Sequence, residues 1–257
     1  MSLRSLFILP LLAPALCQAD ATLTYASETI PGSETIIQVK GEDVIMGDRD
    51  AKMLFLGGRQ EVIMIDHPSK TYMVIDEATV KRLEQQVSAA KQQMAAMLAQ
   101  MEEQMKHMTE EQRAQVKQLM ESRMPAGQAK AAVKTTVKKQ GEDKVAGVSC
   151  TKLLILLNDK PTGKVCVAQA GALGLDTQDY HSMANATDTV RRFMEQVSGR
   201  NDNDTVSMNL RAMKGIPVRM SDLVDGDISI LKSRSSADLD AALFRVPDGY
   251  GKRDMLQ

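Results

Sequence analysis

The sequence has no tryptophan, and its aromatic residues amount to 3% of 257 positions. Stacking platforms for bases or sugar rings depend on such side chains, so they are excluded as a principal binding device. Histidine and cysteine are equally scarce, at three each, and there is no paired Cys-x-x-Cys knuckle. That argues against a structural zinc site. Charge of one sign is missing too, since 32 Lys and Arg face 33 Asp and Glu. A nucleic-acid partner calls for a basic domain with a positive patch, which this balance does not supply. The longest apolar run, Leu6 to Leu16, is interrupted by Pro10 and Pro14. A bilayer-spanning helix needs on the order of 20 apolar residues, so no integral membrane span is expected.

What that first run does resemble is an export leader. Arg4 supplies a positive start, Leu6 to Leu16 an apolar stretch, and Cys17-Gln18-Ala19 the small residues before a cut. Cleavage after Ala19 is expected, leaving residues 20–257 as a single mature domain in the periplasm. Lipidation of Cys17 is the competing reading. A lipoprotein signal wants a small residue directly before the cysteine, and Leu16 stands there. Loss of the leader removes Cys17 and leaves Cys150 and Cys166 as one pair in an oxidising compartment. They flank Leu153 to Leu157, the turn-rich 158–163 and Lys164-Val165, which read as a hairpin. The spacing brings both to about one diagonal step on the same face, with a bulge able to adjust the offset. A disulfide is predicted, worth about 3 kcal/mol on the chain-entropy account.

The first third of the mature chain alternates short apolar runs with turn signals: 22–27, 34–40, 43–46, 52–56, 61–65 and 71–75. This spacing predicts an antiparallel meander. Partial alternation of Ile36, Val39, Val44, Met53, Phe55, Val62, Met64, Tyr72 and Val74 predicts one strongly covered face. From Glu77 to Met124 there is neither Gly nor Pro, and Ala, Gln, Glu, Lys and Met dominate. The segment is predicted helical. Val80, Val87, Met94, Met101 and Met108 recur every seven residues, with Leu83, Ala90, Met97 and Gln104 in the other seam position. A capping-box pattern at Thr109 and Gln112 predicts a second helix to Met124, so 77–124 reads as a helical insertion or cap. Further on, a strand is predicted over 130–139, a helix over 176–199 with a weak patch at 185–189, and strands over 205–213, 216–220 and 227–233. The order predicts an α+β class with an antiparallel sheet.

Several blocks stand in a recognisable order. They are Ile65-Asp66-His67-Pro68-Ser69-Lys70-Thr71-Tyr72, Met108-Thr109-Glu110-Glu111-Gln112-Arg113, the two-cysteine hairpin, Gly215-Ile216-Pro217-Val218-Arg219-Met220, and Phe244-Arg245-Val246-Pro247-Asp248-Gly249-Tyr250. Together they resemble an uncharacterised exported bacterial family of unknown function. That family in turn resembles the LolA-like carriers of outer-membrane lipoproteins. The resemblance implies a curved antiparallel half-barrel covered by helices, with an apolar cavity for acyl chains. The long methionine-striped helix departs from that pattern, exceeding what a simple carrier needs to plug its cavity.

No catalytic constellation emerges. His67, His107 and His181 lack a nucleophile at a recognisable spacing. Gly171-x-x-Gly174 is too short for a dinucleotide fingerprint. Asp202-Asn203-Asp204 and Asp225-Gly226-Asp227 lack the twelve-residue calcium pattern. A non-enzymatic protein without a cofactor is expected. Methionine is the one abundance, at 18 residues, with Met94, Met97, Met101, Met105 and Met108 on one helical side. Three roles compete for that stripe: adaptable packing, a pliable surface for a lipid, a lipoprotein or an unfolded segment, and Cu(I) ligation by thioethers. The favoured reading is a periplasmic binder of a hydrophobic ligand or an envelope protein. Copper handling and homo-oligomerisation through the heptad seam are the alternatives. N-terminal sequencing of the exported protein should begin at Asp20; a sequence starting at Met1, or a diacylglyceryl adduct on Cys17, would contradict the leader assignment.

Overall fold

A computed structural model describes residues 20–106, 109–110, 134–198 and 210–254. The leader, His107, Met108, nearly all of the expected second helix, and Asp202 to Asp204 lie outside them. The described residues form β1 (Ala21–Ser27), β2 (Glu34–Lys40), β3 (Asp43–Gly47), β4 (Ala51–Leu56), β5 (Glu61–Asp66) and β6 (Thr71–Ile75). Then follow α1 (Glu77–Lys106), β7 (Thr135–Val145), β8 (Val148–Leu157), β9 (Lys160–Ala168), α2 (Thr177–Ser198) and α3 (Leu210–Met213). β10 (Ile216–Asp222), β11 (Ile228–Ser235) and β12 (Gly251–Lys252) complete the series.

All twelve strands belong to one sheet, in the order β12-β6-β5-β4-β3-β2-β1-β11-β10-β9-β8-β7. Every pairing is antiparallel except β12 on β6. Open sheets beyond about ten strands curl or split, and this one curves without closing. The fold class is α+β, as the order of elements implied. β1 is the joint: it pairs with β2 on one side and with β11 on the other. The register shifts between Thr24 and Tyr25, with Lys232 as the extra residue on β11, and the buried Tyr25 hydroxyl donates to the Pro217 carbonyl at 2.9 Å. Burial pushes that phenol far above its ordinary pKa.

The strands are covered on two faces, not one. On the helix face, Leu23, Tyr25, Val39, Val44, Phe55, Val62 and Ile75 form a core with Met183, Ala184, Ala186 and Val190 of α2. On the outer face, Ile45, Leu54, Leu56, Ile63 and Ile65 pack under Phe244, Leu239, Val246 and Tyr250 from the C-terminal segment. This corrects the expectation of a single covered face. Consecutive apolar pairs such as Val44-Ile45 and Val62-Ile63 are what a strand buried on both sides requires. The phase also differs by one residue on two strands. Ile36 is exposed while Ile37 packs on the helix-face core, and Tyr72 and Val74 belong to the outer core while Ile75 faces inward. A shift of one residue exchanges the faces of a strand.

Cys150 and Cys166 are bonded as expected, with Cα atoms 5.4 Å apart. Asn158 and Asp159, both at positive φ, make the tight turn between β8 and β9. Beyond it the register shifts between Ile155 and Leu156, so that Lys152, not Thr151, opposes Cys166. Without that bulge the cysteines would sit on opposite faces. The expected strand over 130–139 begins at Thr135 and runs on to Val145 among the described residues. α2 passes unbroken through the weak patch, because Arg211 donates to Asp188 at 2.7 Å and to Asn185 at 2.5 Å. Of the strand expected over 205–213, residues 205–209 lie outside the described residues, and the rest is corrected: Leu210–Met213 is one helical turn. Leu210 and Met213 are both buried, the i and i+3 positions of one helix face. Lys214 at positive φ, and Gly215, whose added Cβ would lie 2.5 Å from the Ala168 carbonyl, then turn the chain into β10.

Two outcomes follow for the joint. Tyr25→Phe leaves the buried Pro217 carbonyl without its donor, so urea denaturation should show a loss of about 1–3 kcal/mol; an unchanged midpoint would contradict the role given to this bond. At the end of the same seam, Thr29 and Ser27 hydroxyls donate to Asp227 and hold its carboxyl below the usual carboxylate range. A folded-state pKa below the unfolded one adds stability above the ordinary carboxylate value and loses it as pH falls through the folded-state value. Asp227→Asn should therefore flatten the acid limb of a stability-against-pH curve, and an unchanged limb would count against the linkage.

Candidate functional site

α2 is the element that shapes the site. Its start is fixed by reciprocal caps: the Asp176 carboxylate accepts from the Asp179 amide at 2.8 Å, and the Asp179 carboxylate accepts from the Asp176 amide at 3.1 Å. Burial pushes the Asp179 carboxyl up from its ordinary pKa. Ser182 donates to the Gly41 carbonyl at 2.8 Å and ties the helix to the β2–β3 turn. Ala184 and Ala186 are almost wholly buried, and such small residues let a helix approach a sheet closely. Tyr180 donates to the Leu210 carbonyl at 2.9 Å, which brings α3 in beside α2.

Between these helices and the sheet lies a cavity of about 150 Å³, walled by Tyr25, Ile37, Met46, Met183, Leu210 and Met220 among others. Its lining is mostly apolar, with Thr35, Thr187 and Ser229 among it, and its volume matches that of a benzene-sized guest. Thr35 and Met46 also border a second, more open groove of about 380 Å³. Together the two fall in the size range of small-molecule sites.

The wall of the groove is a row of methionines. Met46 opposes Met53, Met53 opposes Met64, and Met64 opposes Met73, across β3, β4, β5 and β6. Directly opposed residues have Cβ atoms about 4.5–5.5 Å apart on one face. Met64 is 39% exposed and the other three are half-buried. The rim is polar, with Lys52, Asp66, Thr71 and Arg253. The Ser69 amide donates to Asp66 at 2.9 Å and, with the Ser69 hydroxyl and Arg253, holds the carboxyl below its usual range.

Helical spacing does not single out this row. Its signal is nonetheless present as Val44-x-Met46, Met53-x-Phe55, Val62-x-Met64 and Met73-x-Ile75. The apolar partner alternates between preceding and following the methionine, as antiparallel neighbours demand. The helical stripe lies elsewhere. α1 joins the body through Val80, which packs on the core. Met94 and Met97 are 52% and 53% exposed, and Met101 is half-buried. Met105 belongs to α1 as well, and Met108 falls outside the described residues. The cavity and groove contain none of the stripe.

The histidines sit apart from the groove wall. His67 Nδ1 pairs with the Tyr250 hydroxyl at 2.7 Å, edge to face, and pins the C-terminal segment on the outer face. His181 lies against Tyr180. Among the described residues no three His, Cys, Asp or Glu side chains group as metal ligands do. Asp225-Gly226-Asp227 is the turn between β10 and β11. No described helix is long and apolar enough to cross a membrane.

Among curated proteins none matches this sequence. The crystal structure of an uncharacterized conserved protein from Thermus thermophilus is 8% identical, covers 92% of this chain and 91% of its own, and superposes with a TM-score of 0.42. Residues 78–250 match a family described as a domain of unknown function, DUF4412. That match takes in α1, the disulfide hairpin, α2 and the C-terminal strands to Tyr250, and the chain belongs to the DUF4412 family.

Proposed function

We propose that the protein is a non-enzymatic, periplasmic binder of a hydrophobic ligand: a lipid, a lipoprotein or an exposed apolar segment of an envelope protein. One observation carries the reading. An open groove walled by four register-paired methionines meets an apolar cavity under α2 at Thr35 and Met46. Methionine is unbranched and polarizable, so a wall built from it adapts to guests of different shape. Leu and Ile would give a stiffer surface of similar apolarity.

The curved, unclosed sheet with α2 laid across it is compatible with the LolA-like half-barrel that the sequence resembles, in which acyl chains enter between sheet and helix. α1, with its methionine stripe, extends that plan as a cap. On this reading the stripe is an accessory surface, and the groove is where the ligand lies.

The test is lipid extraction and mass measurement on protein isolated from its native compartment. The parent should carry an apolar molecule at near one per chain. Met53→Glu, which puts a carboxylate on the groove wall, should lose it, whereas Met94→Glu with Met97→Glu should keep it. Retention by the groove variant, or loss in the helix variant alone, would overturn the assignment.

A further inference from the structure

The groove wall carries chemistry that apolar packing does not call for. On β3 to β6 the row next to the methionines is Val44, Phe55, Val62 and Ile75, and the outer face uses Ile45, Leu54, Ile63 and Val74. Sheets favour β-branched and aromatic residues, and both of those rows largely follow the preference. The half-open row departs from it four times in succession, and each time with a thioether. We propose that Met46, Met53, Met64 and Met73 form a site for a soft monovalent cation, Cu(I), held by thioether sulfur alone.

Cross-strand neighbours at about 4.5–5.5 Å between Cβ atoms carry long, unbranched side chains that can bend toward one another. Two or three sulfurs of the row can therefore converge on one ion without backbone movement. Thioethers are neutral and soft, a set that selects Cu(I) and leaves Mg²⁺, Ca²⁺ and Mn²⁺ to oxygen ligands. The sulfur row itself is neutral, so a singly charged ion needs less compensation there than a divalent one, while Lys52, Arg253 and Asp66 are the charged groups of the groove lining. Entry is open, since Met64 is 39% exposed. The Asp66 carboxylate stands at the rim. Cys150 and Cys166, the cysteines among the described residues, are sequestered in their disulfide. This inference goes beyond the apolar-ligand reading and does not rest on it.

The experiment is a competition between the full chain and the chromogenic chelator bicinchoninate for Cu(I), under ascorbate and without oxygen. Every sample carries Cys17→Ser so that no free thiol contributes. The parent should withdraw one Cu(I) from the chelator. Met53→Leu with Met64→Leu should weaken binding by more than the ~10–100-fold that removing an outer partner of a metal ligand costs. Those swaps conserve volume and cost below about 1.5 kcal/mol each, and an unchanged far-ultraviolet spectrum verifies the fold. Met94→Leu with Met97→Leu and Met101→Leu should leave the affinity as it was. A parent that withdraws no copper, a groove variant that binds as tightly as the parent, or a loss confined to the helix variant would each overturn the proposal. Apolar-ligand retention is read separately by extraction, and the same Leu variants should preserve it.

Discussion

The pairing of β1 with β11 holds the molecule together as one sheet. A meander of β1 to β6 and a second one of β7 to β11 would otherwise be separate, each with an open edge at the place where they now join. Two open edges are templates for aggregation, and joining them removes both. The contact is between residues about two hundred positions apart, so its loop-closure entropy is large. Burial of Tyr25, its bond to Pro217 and the polar closure at Asp227 offset that entropy. At the other end of β1, Asp20 accepts from Lys40 at 2.6 Å and from the Leu239 amide at 2.7 Å, linking the start of the strand to the outer-face segment. The cavity exists because of this arrangement: its floor takes Tyr25 and Ile37 from one half and Met220 and Ile216 from the other.

The short strands were legible because each is bounded by Gly, Pro or Asp turns and carries period-two apolarity. All of the early runs match their strands to within one residue at each end, and those at 34–40 and 71–75 match throughout. The disulfide was legible for a related reason, since a tight turn at Asn158 confines both cysteines to facing strands. What could not be read was which face each apolar residue takes. On a sheet covered on both sides, Val44 and Ile45 are equally apolar, and hydrophobicity alone does not assign them. Only cross-strand register does so, and register arises from contacts distant in sequence. The same ignorance hid the methionine row, whose four members are seven to eleven residues apart along the chain and become neighbours only through three hairpins.

The helical turn at Leu210–Met213 shows the opposite failure. Its sequence, Leu210-Arg211-Ala212-Met213, is made of good helix formers, but four residues are too few for propensity alone to fix a helix. Tertiary contacts decide: the Tyr180 hydroxyl on the Leu210 carbonyl and the Arg211 guanidinium on Asp188 both require the carbonyl and side chain to point toward α2. Short elements are set by their neighbours more than by propensity. α1 is the converse case. Thirty residues of strong helix formers make a helix with little tertiary support, which is why Met94 and Met97 remain accessible rather than forming core.

The central claim is that the functional surface lies on the sheet, along Met46, Met53, Met64 and Met73, and not on the helix stripe. Methionine methyl resonances report each of these side chains separately. The direct measurement is a spectrum of protein labelled at the methionine methyl carbons, recorded with and without a saturated acyl-chain probe and assigned by single Leu replacements. The account predicts shifts in the four groove methyls, with those of Met94, Met97 and Met101 unmoved. Shifts confined to the helix stripe, with the groove methyls silent, would contradict it.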